Sequence, residues 1–184
     1  MASAKHLVIG LMSGTSADGV DAALLETDGE AFIHPLSFTE RPYADPERRL
    51  IRAACARAQA MATPGPDPLI EAAADMLTHA HADAIRNLPG AARATLVGFH
   101  GQTVAHRPDS SGAAHPFTWQ VGDAALLARL TGRPVVHDFR SMDVAAGGEG
   151  APLAPGYHRA RLTGLQAPVG ILNLGGVGNL TWFE

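Results

Sequence analysis

Apolar residues first gather at Leu7-Val8-Ile9 and continue through Leu11-Met12. They give way to the polar stretch Ser13-Gly14-Thr15-Ser16-Ala17-Asp18-Gly19 and return at Val20 and Ala22-Ala23-Leu24-Leu25. An apolar run, a Gly/Ser/Thr turn and a second apolar run predict a β-hairpin with an unusually polar tip. Ala31 to Phe38 predicts a third strand, and Pro35 favours a sheet edge for it. Helical spacing then takes over. Asp45-Pro46-Glu47 offers an N-cap, a first-turn proline and a first-turn acid, with Leu50, Ile51, Ala54 and Ala58 following on one face. Thr63-Pro64-Gly65-Pro66 breaks that helix, and Asp67-Pro68 starts another that carries Leu69, Ala73, Met76, Leu77, Ala80 and Ala84 as far as Pro89-Gly90. His79 and His81 lie two apart on this helix and point in different directions, so the expectation is two solvated side chains rather than a metal pair.

Ala94 to Phe99 predicts a short buried strand running into His100-Gly101-Gln102-Thr103, and 109–114 reads as loop. Trp119-Gln120 reads as core and edge packing. Asp123 to Leu130 predicts a compact helix stopped by Thr131-Gly132, and Pro134 to Phe139 the next strand, with Arg140 at its carboxyl end. Val144 to Pro152 is too glycine-rich for a regular element and reads as a functional loop. Val169 to Leu174, the turn Gly175-Gly176-Val177-Gly178-Asn179 and Leu180 to Phe183 close the chain as a second glycine-tipped hairpin. Strand, helix and strand over 94–139 suggest a βαβ crossover within a mixed sheet.

Composition narrows the classes. A chain of 184 residues holds one good core and the start of another domain, and no internal repeat is visible. A formal net charge of −4 gives no basic footprint for nucleic acid. Cys55 is the only cysteine, which excludes a disulfide framework and a cysteine zinc site, and its Ala-rich helical setting reads as a small buried side chain. No apolar run approaches the length of a membrane span, and Lys5 precedes only a short apolar run, unlike a signal peptide. The expectation is a soluble cytoplasmic protein.

Four polar clusters, 13–21, 100–107, 137–150 and 173–179, follow predicted strands. Ligands of open α/β sheets gather at carboxyl strand ends, so all four could line one crevice. In the first cluster, Gly14 and Gly19 permit close approach to the backbone, while Ser13, Thr15 and Ser16 add hydroxyls around an anion-binding concavity. An ordinary polar hairpin loop explains the same residues equally well. His100 suits sugar hydrogen bonding, acid–base work or a structural hydrogen bond, and Gln102 and Thr103 share that ambiguity. Asp138 and Arg140 fit either an ion pair with each other or an Arg140 fork aimed at a ligand carboxylate or phosphate. Asp143 is placed to hold the glycine loop. The chain has no Gly-x-x-x-x-Gly-Lys-Ser/Thr, no Gly-x-Gly-x-x-Gly between strand and helix and no Gly-x-Ser-x-Gly. Its histidines are too dispersed for a zinc hydrolase.

Five blocks carry a specific resemblance. Gly10 to Asp21 resembles the opening signature of the anhydro-N-acetylmuramic acid kinases. So do Gly98-Phe99-His100-Gly101-Gln102-Thr103, Gln120-Val121-Gly122-Asp123, Asp138-Phe139-Arg140 with Asp143 to Leu153, and Asn173 to Leu180. They occur in the family's order and span nearly the whole chain. The resemblance implies an α/β fold of the actin/hexokinase/Hsp70 type. Its first lobe, a ribonuclease-H-like mixed sheet with flanking helices, would occupy 1–166, and 167–184 would be the opening hairpin of a second lobe. It implies ATP and Mg²⁺ as cofactors and a small-molecule sugar as partner, with the whole protein a homodimer. The implied reaction opens the 1,6-anhydro ring with water and phosphorylates O6, giving N-acetylmuramic acid 6-phosphate in cell-wall sugar recycling.

By the same resemblance Gly14, Thr15, Ser16, Ala17, Asp18, Gly19, Val20 and Asp21 match the ATP segment, and Gly175, Gly176 and Asn179 the second phosphate hairpin. His100, Gln102 and Arg140 are the hypothesised sugar contacts, Arg140 being the partner for the lactyl carboxylate. Many members of the superfamily carry an Asp where this chain has Met12, so the metal role passes to Asp18, Asp21 or a later carboxylate. The water-activating Asp belongs to a Gly-Phe-Asp-x-Gly-Pro-Gly-Asn segment expected beyond Glu184, so no catalytic base is assigned within the chain, and the chain alone is expected not to turn over. The alternatives are a non-catalytic binding domain derived from this lobe and a related kinase of different sugar specificity.

Overall fold

The computed structural model describes residues 4–174 and 178–184. Strand β1 (His6–Ser13) pairs antiparallel with β2 (Gly19–Thr27), which pairs antiparallel with β3 (Ile33–Pro42). On its other side β1 pairs parallel with β4 (Leu96–Arg107), and β4 pairs antiparallel with β5 (Phe117–Val121). The short strand β6 (Val135–His137) runs parallel to the first part of β4, placing Phe99 opposite His137. The sheet order is therefore β3-β2-β1-β4-β5 with β6 beside β4. Pro35 lies on the edge strand, where a missing backbone donor costs nothing in the ladder.

Helices α1 (Asp45–Gln59) and α2 (Pro68–Asn87) pack on the face carrying Ile9, Leu11, Val20, Leu24 and Val97. Ile9, Leu24 and Leu77 are fully buried, and each removes apolar surface worth about 1.5–3 kcal/mol. Asp67 caps α2 through Leu69 N–H, and its second carboxylate oxygen takes Arg57 Nε–H at 2.6 Å, tying the helix start to the end of α1. Asp123 caps α3 (Ala124–Thr131), and Gly132 stops it in the left-handed region at φ +66°. Helix α3 joins β5 to β6, so the expected crossover from β4 to the parallel β6 also contains the strand β5. Two helices follow, α4 (Ser141–Ala145) and α5 (Ala154–Arg161), and then the separate hairpin of β7 (Val169–Asn173) and β8 (Asn179–Phe183). The chain is thus a central mixed sheet flanked by helices, the arrangement of an actin/hexokinase-like lobe.

The sequence expectation differs from the structure at several places: α4 takes in Val144 and Ala145 from the stretch expected to hold no regular element, α5 was not expected, and Cys55 is only partly buried. The N-cap of α1 is Ala44 rather than Asp45: Glu47 accepts Ala44 N–H at 2.8 Å while gripped by both Nη groups of Arg41. Residues 100–107 do not follow a strand end: β4 continues through them across a bulge at His100-Gly101, with Gly101 at φ +68°. Phe117–Val121 is a strand, not merely packing. Finally, His79 is exposed as expected, but His81 is wholly buried. Helix α2 is covered on several sides, and the His81 ring tolerates burial by donating Nδ1–H to Leu77 O at 2.7 Å.

Candidate active site

The carboxyl ends of β1 and β6 converge on the bulge in the middle of β4. Ser13 lies opposite Gln102 and Phe99 opposite His137, so the turn after β1 and the loop after β6 flank the bulge of β4. Within the turn, Ala17 N–H closes on Gly14 O at 3.1 Å, and Ala17 adopts φ +53°. Ala17, Gly19 and Val20 are buried, whereas Thr15, Ser16, Asp18 and Asp21 are exposed. Gly19 is required by close packing, since a Cβ there would stand 2.7 Å from Arg41 O. Of the eight candidate nucleotide residues, the buried ones shape the turn and the exposed ones face solvent. Hydrogen bonds from the Ser16 hydroxyl and from Gly19 N–H hold the Asp18 carboxyl below its ordinary range. Partial burial, then repulsion from Glu40 and Asp18, raises that of Asp21. Met12 sits half-exposed opposite Asp21.

A crevice of about 280 Å³ opens between β4, β5 and the start of α4. His100, Trp119, Gln120, His137, Asp138 and Ser141 line it. That volume sits just under the roughly 300–1,000 Å³ usual for small-molecule sites and suits a monosaccharide-sized ligand. Phe99 forms part of its inner wall, held edge-on by the His81 ring with centroids 4.9 Å apart, and a Cβ on Gly122 would collide with the Phe99 ring.

His100 joins the crevice to Arg140. A carbonyl can only accept, so His100 Nδ1 donates to Gly101 O at 2.9 Å, and Nε2 then accepts Arg140 Nε–H at 2.8 Å. Burial, with the Arg140 cation adding, lowers the His100 pKa and keeps the ring neutral. Arg140 also donates Nη1–H to Gly150 O at 2.6 Å. Asp143 accepts Gly150 N–H at 2.7 Å and so holds the glycine loop as expected. Asp138 sits at φ +56° with its carboxylate on Ser141 N–H, and among the described residues it forms no ion pair with Arg140.

Gln102 lies apart from the crevice. It is buried, with its amide spent on Ser13, Gly14 and Thr103. Asn179 opens β8, exposed and paired with Asn173, while Gly175 and Gly176 fall outside the described residues. His137 and Ser141 belong to the 137–150 cluster that the sequence offered for the crevice, whereas Thr118 lies outside every cluster named there. The alternation Phe117, Trp119, Val121 against Thr118, Gln120 was the available signal for a strand there.

The fold is that of an actin/hexokinase-like lobe. A family profile described as anhydro-N-acetylmuramic acid kinase matches residues 6–184, and the chain belongs to that family. It is 54% identical over 183 residues to the anhydro-N-acetylmuramic acid kinase of Rhizorhabdus wittichii, covering 97% of this chain and 49% of that protein. The enzyme of the same name from Zymomonas mobilis is 49% identical over 184 residues, covering 96% of this chain and 49% of the relative. That of Paramagnetospirillum magneticum is 49% identical over 183 residues, covering 97% and 48%. The chain thus spans about half the length of the curated relatives it matches. Among the described residues, no helix is long and apolar enough to cross a membrane.

Proposed function

We propose that this chain supplies the nucleotide turn and the sugar crevice of an ATP-dependent kinase acting on 1,6-anhydro-N-acetylmuramic acid. The observation that carries the reading is the convergence of an exposed Gly/Ser/Thr turn and a monosaccharide-sized crevice on the carboxyl ends of β1 and β6 around the β4 bulge. In the proposed reaction water adds at C1, the C1–O6 bond opens and O6 takes the γ-phosphoryl group of ATP. Phosphoryl transfer rests on positioning and charge stabilisation, which suits a site built of backbone, hydroxyls and one guanidinium. Thr15 and Ser16 would face the phosphates. Arg140 would take the lactyl carboxylate with its Nη2 donors, since Nε is committed to His100 and Nη1 donates to Gly150.

Among the described residues no three His, Cys, Asp or Glu side chains gather to hold a metal. Mg²⁺ therefore fits here only as the counter-ion of the ATP phosphates, neutralising their charge, with Asp18 as the nearest candidate carboxylate of the turn. The proposed domain division follows the same reading: 1–166 as the lobe, and 167–184 with Asn179 in a second phosphate hairpin. Cytoplasmic location and a homodimer of the whole protein belong to the proposal as well.

The test is to titrate the chain with MgATP and with the anhydro sugar separately, following backbone amide resonances. MgATP is expected to move the amides of 14–21, and the sugar those near His100, Trp119 and Ser141. Arg140→Ala removes a desolvated carboxylate partner and is expected to weaken sugar binding by roughly thirtyfold or more. MgATP binding should stay within about twofold of wild type, as expected where no contact to that ligand is lost. Equal loss of both ligands would remove Arg140 from the sugar side.

A further inference from the structure

A buried hydrogen-bond chain lies beneath the nucleotide turn, and its direction is settled by chemistry. Gln102 Nε2 lies 3.2 Å from Gly14 O and 3.3 Å from Thr103 O. Two carbonyls can only accept, so the amide nitrogen faces them and Oε1 faces Ser13. Ser13 therefore donates its hydroxyl hydrogen to Gln102 Oε1 at 2.6 Å, and the Tyr43 phenol, 2.9 Å away, donates to Ser13 Oγ. All three side chains are within 2% of full burial. Burial pushes the Tyr43 phenol up to about 12, which keeps it a donor.

The chain ends on the turn itself. Gly14 O receives two hydrogen bonds, from Gln102 Nε2 and from Ala17 N–H. Tyr43 pins the far side of the turn as well, through its own N–H to Asp18 O at 2.8 Å. Between these two anchors the backbone carries Ala17 in the left-handed region, a conformation that costs a non-glycine residue roughly 1–2 kcal/mol unless its surroundings enforce it. The bulge in β4 makes the arrangement possible. Opposite Leu11 stands Phe99, but opposite Ser13 stands Gln102, one residue later than a regular ladder would give. That single extra residue puts Gln102 on the buried face under the turn, where a regular strand would have placed Gly101.

We propose that Tyr43, Ser13 and Gln102 form a positioning chain that sets the backbone of the nucleotide turn, so that Gln102 serves the nucleotide side of the site rather than contacting the sugar. The proposal rests on the reading of 14–21 as the nucleotide turn. It also links the two ligands' regions through one strand: His100 faces the crevice, and Gln102, two residues on, holds the turn.

The test compares the wild-type chain with Gln102→Met, which keeps the length but removes the amide, and with Tyr43→Phe, which removes only the hydroxyl. Two readouts are taken: amide hydrogen exchange at Ala17 relative to Ile9 and Val97, and titrations with MgATP and with the anhydro sugar. Loss of one neutral hydrogen bond to the turn is expected to speed Ala17 exchange and weaken MgATP binding by roughly five- to tenfold in Gln102→Met, with a smaller effect in Tyr43→Phe. Core exchange and sugar affinity should remain at wild-type values. Wild-type exchange at Ala17 in both variants would overturn the proposal, and so would loss of sugar affinity with MgATP affinity retained. If Gln102→Met fails to fold, Tyr43→Phe decides by the same criteria. If MgATP leaves the 14–21 amides of the wild-type chain unmoved, the nucleotide reading fails, and Ala17 exchange in the two variants still decides whether the chain sets the turn.

Discussion

His81 makes the stability of this fold depend on pH, and the size of the effect follows from its surroundings. The side chain is wholly buried on α2, its Nδ1–H given to Leu77 O and its ring set edge-on against Phe99. Nε2 is then the unprotonated nitrogen, and it has no hydrogen-bond partner. Protonating it would place a cation among apolar groups, with repulsion from the Arg41 cation adding to the cost, so burial lowers the pKa from 6.5 to about 4. The folded state therefore binds fewer protons than the unfolded state between those values. Stability is fully present above pH 6.5 and is lost as pH falls toward 4, by roughly 3 kcal/mol in all, most of it gone by pH 4.5.

Replacing His81 with leucine removes the titrating group. At pH 7.5 the variant gives up an edge-to-face contact worth about 1 kcal/mol, offset by deleting a buried nitrogen without a partner, so the net change should stay within about 1 kcal/mol. Urea unfolding of both proteins from pH 7.5 to 4.5 measures the difference directly, and other titrating groups cancel in the comparison. At pH 4.5 the balance should shift by roughly 2–3 kcal/mol in favour of His81→Leu, relative to its value at pH 7.5. Parallel stability curves would refute the claim that His81 is buried and neutral.

Two further outcomes follow from the crevice. His100 is held neutral, and its Nε2 accepts from Arg140 only while unprotonated. Sugar affinity should therefore be constant above pH 6.5 and fall below it as the ring takes a proton and releases the guanidinium. A pH titration of sugar binding measures this, and affinity that rises on acidification would contradict it. Asp143→Ala deletes the acceptor of Gly150 N–H and should cost about 1.5–3 kcal/mol of stability, as for a hydrogen bond to a charged group. Faster exchange confined to the Gly150 amide and the residues around it would mark the released loop in hydrogen-exchange data, and unchanged exchange there would contradict the assignment.

The elements most legible in the sequence are those fixed by local chemistry. Asp67 before Pro68 and Asp123 before an apolar helix announce caps because a short carboxylate accepts the first free N–H groups wherever such a helix starts. The β1 hairpin was legible through its two apolar runs and polar tip, and the crossover from β4 to β6 through strand–helix–strand spacing. What sequence did not reveal was set by distant contacts. A bulge extends β4, and nothing in His100-Gly101-Gln102 announces it locally except a glycine. His81 looks solvated on a helical wheel because the wheel does not know that α2 is covered on several sides. Gln102 looked like a ligand contact, yet its three partners come from a strand 89 residues earlier, from the turn after it and from its own neighbour. Arg140 and His100 were both singled out, but their mutual hydrogen bond spans 40 positions and depends on β6 pairing with β4.

The most direct test of the kinase reading places this chain in a protein of the relatives' length. Residues 1–184 would replace the matching segment of the Rhizorhabdus wittichii anhydro-N-acetylmuramic acid kinase, to which they are 54% identical. The chimaera would be incubated with MgATP and 1,6-anhydro-N-acetylmuramic acid, and the phosphosugar detected directly. The expected result is N-acetylmuramic acid 6-phosphate, formed with one ADP per sugar and diminished by Arg140→Ala through a raised KM for the sugar. A folded chimaera that binds MgATP but forms no phosphosugar from this substrate would contradict it.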